Sequence, residues 1–159
     1  MEAAKYDIKI GKMVPKYQEM QDVIVSLLPF EKGSSIKVLD LGIGTGNLSL
    51  NLLRQFPKAK IVGIDKNKEM LKITSKKLLK FSLKVELIKG DFSNFLPKGN
   101  YDAVISLLSV HHLTDPQKRR LFKRVYRNLK SEGIFINGDF VISDSNFINR
   151  KSSKIEEEF

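Results

Sequence analysis

A chain of 159 residues, 42% hydrophobic and 29% charged, has the length and balance of one soluble globular domain with a real core. It has no cysteine, which excludes disulfides, thiolate zinc sites and cysteine nucleophiles, and its two histidines are too few for a histidine-rich metal site, so no metal is expected. The net charge of +10 is compatible with nucleic acid or an anionic substrate, but the lysines are scattered without a dense basic block, which favours solvated helix faces and leaves nucleic acid the less favoured partner.

The predicted elements alternate. Tyr17, Met20, Val23, Ile24, Leu27 and Leu28 recur at helical spacing, and Pro29 closes that segment. Glu31 to Ser35 is a polar loop, and Ile36 to Leu41 reads as a strand. Leu48, Leu52, Leu53 and Phe56 form a helix stripe stopped by Pro57. Ile61 to Ile64 has the continuous apolar character of a strand buried on both faces. Met70, Leu71, Ile73 and Leu78 predict the next helix, Val85 to Ile88 a third strand, and Tyr101 to Leu108 a fourth. Thr114-Asp115-Pro116-Gln117 is a helix start, with Asp115 capping ahead of Pro116 or Thr114 boxed with Gln117. Leu121, Phe122, Val125, Tyr126 and Leu129 carry that helix to Gly133. Ile134 to Val141 is a fifth strand, with a hairpin at Asn137-Gly138 as the less favoured choice.

Strands alternating with helices give an α/β fold: a doubly wound, mainly parallel sheet with helices on both faces. Right-handed crossovers gather the strand C-termini along one edge, where such sheets bind ligands. The residues just after the strands therefore carry the functional reading.

After the first strand the chain reads Asp40-Leu41-Gly42-Ile43-Gly44-Thr45-Gly46-Asn47. A glycine turn between strand and helix presents backbone N–H groups and a positive helix end to a ligand. The nicotinamide pattern G-x-G-x-x-G would place a glycine where Asn47 stands. Asp40, two residues before Gly42, is awkward beside a pyrophosphate and suits a ligand with an ammonium or sulfonium group. Asp65 closes the second strand at the distance of a ribose-binding acid, about 20 residues past the turn.

On these segments the chain resembles the class I S-adenosylmethionine-dependent methyltransferases, which are Rossmann-like. Val38 to Asn47 resembles their first motif, and Ile61-Val62-Gly63-Ile64-Asp65 with Met70-Leu71 the second strand and its ribose acid. Lys89-Gly90-Asp91-Phe92 is similar to their adenine-contacting turn, Tyr101 to Ser106 to the fourth strand, and Leu129 to Phe135 to the approach to the fifth. The resemblance implies S-adenosylmethionine as cofactor and methyl transfer as activity. It also implies that Gly42, Gly44 and Gly46 lie against the methionine portion while Asp40 orients its ammonium group. Asp65 would accept both ribose hydroxyls, and Lys66, Asn67 and Met70 would flank ribose and adenine. Asp91 and the Phe92 N–H would meet the adenine ring, and Ser106 and Leu107 would offer backbone near the methionine portion.

Several of these residues have structural alternatives. Asp65 could cap the following helix, Asp91 could be a turn former, and Met70 could be core. Asp102, at the start of the fourth strand, reads as structural. No catalytic signature is present, and methyl transfer needs none beyond alignment of the acceptor. His111, His112, Tyr17 and Asp139 are the candidates for facing an acceptor, against a reading in which one histidine packs on the sheet and the other caps a helix.

Met13-Val14-Pro15-Lys16-Tyr17 is similar to the lid region of the carboxy-S-adenosylmethionine synthase branch, which makes a modified cofactor used in transfer-RNA wobble-uridine modification. The expected organisation is one domain over 1–159, with a helical lid over 1–35, a cofactor core over 36–142 and the start of a truncated C-terminal part over 143–159. Phe147, Ile148, Ile155 and Phe159 would be the apolar positions of that last part. The fifth strand would then lie at an edge that a homodimer could cover. The expected acceptor is a small molecule. A transfer-RNA-related enzyme and a catalytically silent cofactor-binding module are the alternatives. No apolar run reaches membrane-spanning length, and residues 1–20 are too charged for a secretory signal, so a cytoplasmic, membrane-free setting is expected.

Overall fold

The computed structural model describes Asp7 and residues 10–141. The readings made for residues 142–159 lie outside the described residues. The chain runs α1 (Tyr17–Ser26), β1 (Lys37–Leu41), α2 (Asn47–Gln55), β2 (Lys60–Asp65), α3 (Lys68–Lys77), β3 (Val85–Lys89), β4 (Tyr101–Leu107), α4 (Asp115–Asn128) and β5 (Leu129–Gly138). All five strands are parallel, in the order β3-β2-β1-β4-β5. The order reverses between β1 and β4, and the crevice beyond their C-terminal ends is the switch point.

The alternation of side chains along each strand divides the core. Val38, Ile61, Ala103 and Ile105 pack with Ile24, Val25, Leu48, Leu52 and Leu53 from α1 and α2. Leu39, Leu41, Val62, Ile64 and Val104 point the other way, onto Leu121 and Val125 of α4. Asp40 shares the face of Val38, so its carboxyl is driven under α2 and is buried.

The helix expected to run to Gly133 ends at Asn128, and β5 begins at once. Leu129 turns extended while its N–H still closes the last helical turn on Val125. Tyr101 pairs with Leu129 but Ala103 pairs with Ile134, so 130–133 bulge out of the ladder. Lys130 Nζ reaches Asp102 Oδ1 at 2.7 Å, and the Lys37 N–H donates to Asp102 Oδ2 at 2.7 Å. Asp102 thus ties the starts of β1 and β5, a structural role. Asn137-Gly138 continues the parallel ladder opposite Ser106 and Leu107 and is no hairpin. Phe140 and Val141, expected inside this strand, lie beyond it and are exposed.

Some apolar stripe positions are also exposed. Tyr126 is 82% exposed and Phe122 44%, while Leu121 and Val125 fill the contact with the sheet. Leu121 and Val125, an i, i+4 pair, are the buried residues of α4. Phe122 instead meets Phe135 of β5 at 5.8 Å between ring centroids. Val23 of α1 and Leu27 just after it are also half-exposed.

Candidate functional site

A cavity of about 360 Å³ opens at the switch point. It gathers Asp40, Gly42, Gly44, Asp65, Lys66, Asn67, Met70, Asp91, Phe92 and Leu107 from among the residues expected to bind cofactor. Tyr17 and His112, two of the acceptor-side candidates, also line it. Gly46, Ser106, His111 and Asp139 do not. Gly46 is the N-cap of α2 and faces Thr74, 2.8 Å from where a Cβ would sit. Ser106 is fully buried, and its hydroxyl donates to the Leu41 carbonyl at 3.3 Å.

The glycine turn has a division of labour that spacing alone does not reveal. Gly42 and Gly44 both have positive φ, at 68° and 56°. A Cβ on Gly42 would lie 2.3 Å from Ser109 Oγ and 2.7 Å from its Cβ, so this glycine makes room for the loop after β4. A Cβ on Gly44 would meet nothing nearer than 3.8 Å, so this glycine leaves its cavity wall open to a ligand. Either Ala substitution is strained by about 1–2 kcal/mol through φ alone. Gly42→Ala is therefore expected to lower the melting temperature well beyond Gly44→Ala, because it also displaces the 108–113 loop. Gly44→Ala is expected to weaken ligand binding with the smaller loss of stability. Thermal melts and S-adenosylhomocysteine titrations of both variants check this; equal losses of stability would contradict the packing assignment.

Asp65 sits at the centre. Its Oδ2 accepts from the Gly44 N–H at 2.9 Å and its Oδ1 from the Asn67 N–H at 2.8 Å. The helix cap is Asn67, whose side chain accepts from the Glu69 and Met70 N–H groups. Asp65 thus joins the glycine turn to the start of α3. A carboxylate has about four lone-pair sites, and two remain for a ligand.

Asp40 is the other acid of the first wall. Burial pushes its pKa up from 3.8 to about 7; the Ser49 hydroxyl, donating at 2.6 Å, works against this, and the charge of Asp65 adds to it. Asp91 forms the turn after β3, accepting from the Ser93 N–H at 2.8 Å. Hydrogen bonds from Ser93 hold its carboxyl below the usual value against a smaller opposing effect of burial, and Lys66 lowers it further. Arg124 of α4 donates to the Ser93 carbonyl at 2.7 Å and pins that turn. Met70 is half-buried on the cavity wall, beside the buried Leu71 and Thr74.

The far side comes from the loop after β4. Leu108 takes a positive φ of 53°, unusual for a branched residue, and its N–H donates to the Gly138 carbonyl at 2.8 Å. The short 3-10 turn Val110–His112 follows. Asp139, just past β5, accepts from the His111 N–H at 2.8 Å and faces His111 Nδ1 at 2.5 Å. The His111 and His112 rings lie 3.9 Å apart. The two histidines thus divide: His111 is tied to β5 and His112 reaches the cavity.

Some participants carried no sequence signal. Ile10 lines the cavity although it belongs to no apolar stripe. Asp7 accepts from Thr45 Oγ1 at 2.7 Å and Asn47 Nδ2 at 3.0 Å, and pairs with Lys77 Nζ at 2.6 Å; Lys77 also donates to the Asn47 side chain. Burial works to raise the Asp7 pKa, but the hydrogen bonds from Lys77, Thr45 and Asn47 and the Lys77 charge outweigh it and hold it low. These groups are up to 70 residues apart, and no local pattern joins them.

A methyltransferase domain family matches residues 38–133. The carboxy-S-adenosyl-L-methionine synthase of Nautilia profundicola is 27% identical over 148 residues, covering 93% of this chain and 63% of that protein. An uncharacterized methyltransferase of Bacillus licheniformis is 32% identical over 147 residues, covering 92% of this chain and 62% of its own. The chain thus spans a little under two thirds of these relatives' length. The crystal structure of an S-adenosylmethionine-dependent methyltransferase from Clostridium acetobutylicum superposes with a TM-score of 0.70 at 30% identity, covering 85% of this chain and 55% of that one. Because the family match runs through the glycine turn, Asp65, the Asp91 turn and the start of β5, this chain belongs to the class I S-adenosylmethionine-dependent methyltransferases, near the carboxy-S-adenosylmethionine synthase branch.

Proposed function

We propose that this domain holds S-adenosylmethionine across the switch-point cavity and directs its methyl group to a small-molecule acceptor. The observation that carries the reading is the Gly44–Asp65 pair. The glycine leaves its wall clear, and the carboxylate it anchors keeps two acceptor sites for a pair of ribose hydroxyls. The residues fit the cofactor elsewhere too. Asp40 offers a buried carboxyl to an ammonium group beside the glycine turn. Asp91 and the Phe92 backbone form an acceptor and donor edge for adenine, with Met70 on the same cavity wall. When bound, the cofactor supplies an electrophilic methyl group on a sulfonium, so the protein's share is to align the acceptor and exclude competing water.

Titration calorimetry tests the reading. S-adenosylhomocysteine is expected to bind and NAD is not; NAD binding tighter than S-adenosylhomocysteine would overturn it. A second reading, in which the domain makes or uses a modified S-adenosylmethionine, is supported by the carboxy-S-adenosylmethionine synthases among the relatives. Binding of cofactor with no turnover of any acceptor would favour a silent module. None of the described helices is long and apolar enough to cross a membrane.

A further inference from the structure

The 3-10 turn after β4 is held from outside the cavity. The Asp139 side chain is 8% exposed and that of His111 30%. Asp139 accepts from the His111 backbone and faces its Nδ1, and its Oδ1 also accepts from the Phe140 N–H at 3.0 Å. A carboxylate can only accept, so the His111 proton on that side sits on Nδ1. Phe140 meets the His111 ring edge-on, 5.8 Å between centroids. The His112 ring lies 3.9 Å from that of His111 and is inclined to it by 49°. The loop after β4 thereby receives a ring whose position is set by Asp139, just past β5.

From this geometry we propose that His112 accepts the proton of a protic O–H or N–H acceptor at the cavity mouth, with His111 and Asp139 as its positioning pair. The proposal deepens the methyltransferase reading and rests on it. As the acceptor's lone pair bonds to the methyl carbon, the carbon–sulfur bond breaks and its electron pair stays on sulfur. The acceptor's proton passes to a ring nitrogen of His112. From there it leaves to solvent, because His112 is exposed. A thiolate or carbanion acceptor would need no such group.

The charged groups facing His112 agree with this role. Partial burial lowers its pKa, His111 beside it and Lys66 after β2 lower it further, and Asp139 opposes them. These effects favour the neutral imidazole, the form able to take a proton.

The chain's two histidines make the test direct. Their ring protons can be followed by NMR through a pH titration of the whole protein, with S-adenosylhomocysteine or with S-adenosylmethionine bound. The ligands differ by the methyl group and its positive charge. A His112 ring beside the transferring methyl is expected to titrate about half a pH unit or more lower with S-adenosylmethionine. Asp139→Asn is expected to shrink that difference while S-adenosylhomocysteine affinity stays within about twofold. His111→Ala provides an independent second variant with the same expectation. A His112 titration that is identical with the two ligands, or a difference that survives both variants, overturns the proposal. If neither ligand binds the wild-type chain, the cofactor reading itself fails and this inference falls with it, which is a distinguishable result.

Discussion

Asp65→Ala is expected to reduce affinity for S-adenosylhomocysteine by about a hundredfold or more while the domain still folds. The size follows from what the carboxylate does at once. In the proposed complex it accepts two ribose hydroxyls, each a charge-assisted bond of about 1.5–3 kcal/mol. It also accepts from the Gly44 and Asn67 N–H groups, so the variant leaves the glycine turn untethered from α3. Folding survives because the core on both faces of the sheet does not involve this side chain. Asn67 keeps its own bonds to the first turn of α3. Asp65→Asn should fall between, retaining an acceptor but losing the charge. Calorimetry with circular dichroism on both variants decides the matter. Unchanged affinity in a folded Asp65→Ala protein would mean that the carboxylate only braces the turn.

Asp40→Asn is expected to do two opposite things. The folded-state pKa of Asp40 is raised from 3.8 to about 7 by burial. Below about pH 4 the carboxyl is protonated in both states and costs nothing. Between about pH 4 and pH 7 the unfolded chain ionises while the folded one holds its proton, so stability falls as pH rises. Above pH 7 the penalty is complete, up to about 4 kcal/mol. The amide has no charge to desolvate, and its oxygen can still accept from Ser49. The variant is thus expected to match the wild type near pH 4 and to melt about 5 °C or more higher at pH 8. Its affinity for S-adenosylhomocysteine should drop about tenfold or more at pH 8, because the ammonium group loses its ionised partner. The wild type should release a proton on binding near pH 6, seen in calorimetry as a heat that varies with the buffer; the variant should not. A melting difference independent of pH would show that Asp40 is not the titrating group.

These two acids also mark how far local sequence reaches. Apolar runs between polar breaks, and the order of strand and helix signals, determined the five parallel strands and therefore the edge at which a ligand binds. The places of Asp40, Asp65 and Asp91 were legible because each lies at or just after a strand, and parallel topology brings those three strand ends to one cavity. Element ends were less legible. The end of α4 at Asn128 depends on Tyr101 pairing with Leu129, a contact made across the sheet.

What only the tertiary structure decided involves partners distant in the chain. Gly42, Gly44 and Gly46 look equivalent in a motif, yet they differ because Ser109, an open cavity and Thr74 lie opposite them. His111 and His112 are neighbours in sequence, and Asp139 separates them by binding one ring from 28 residues away. Asp7 joins Lys77 across 70 residues. Asp40 gains its raised pKa only when α2 covers it and shuts out water. Periodicity and turn chemistry act between neighbours, so the sequence carries them openly. Burial, electrostatics and side-chain pairing depend on which surfaces the folded sheet brings together, and they come into being with the fold.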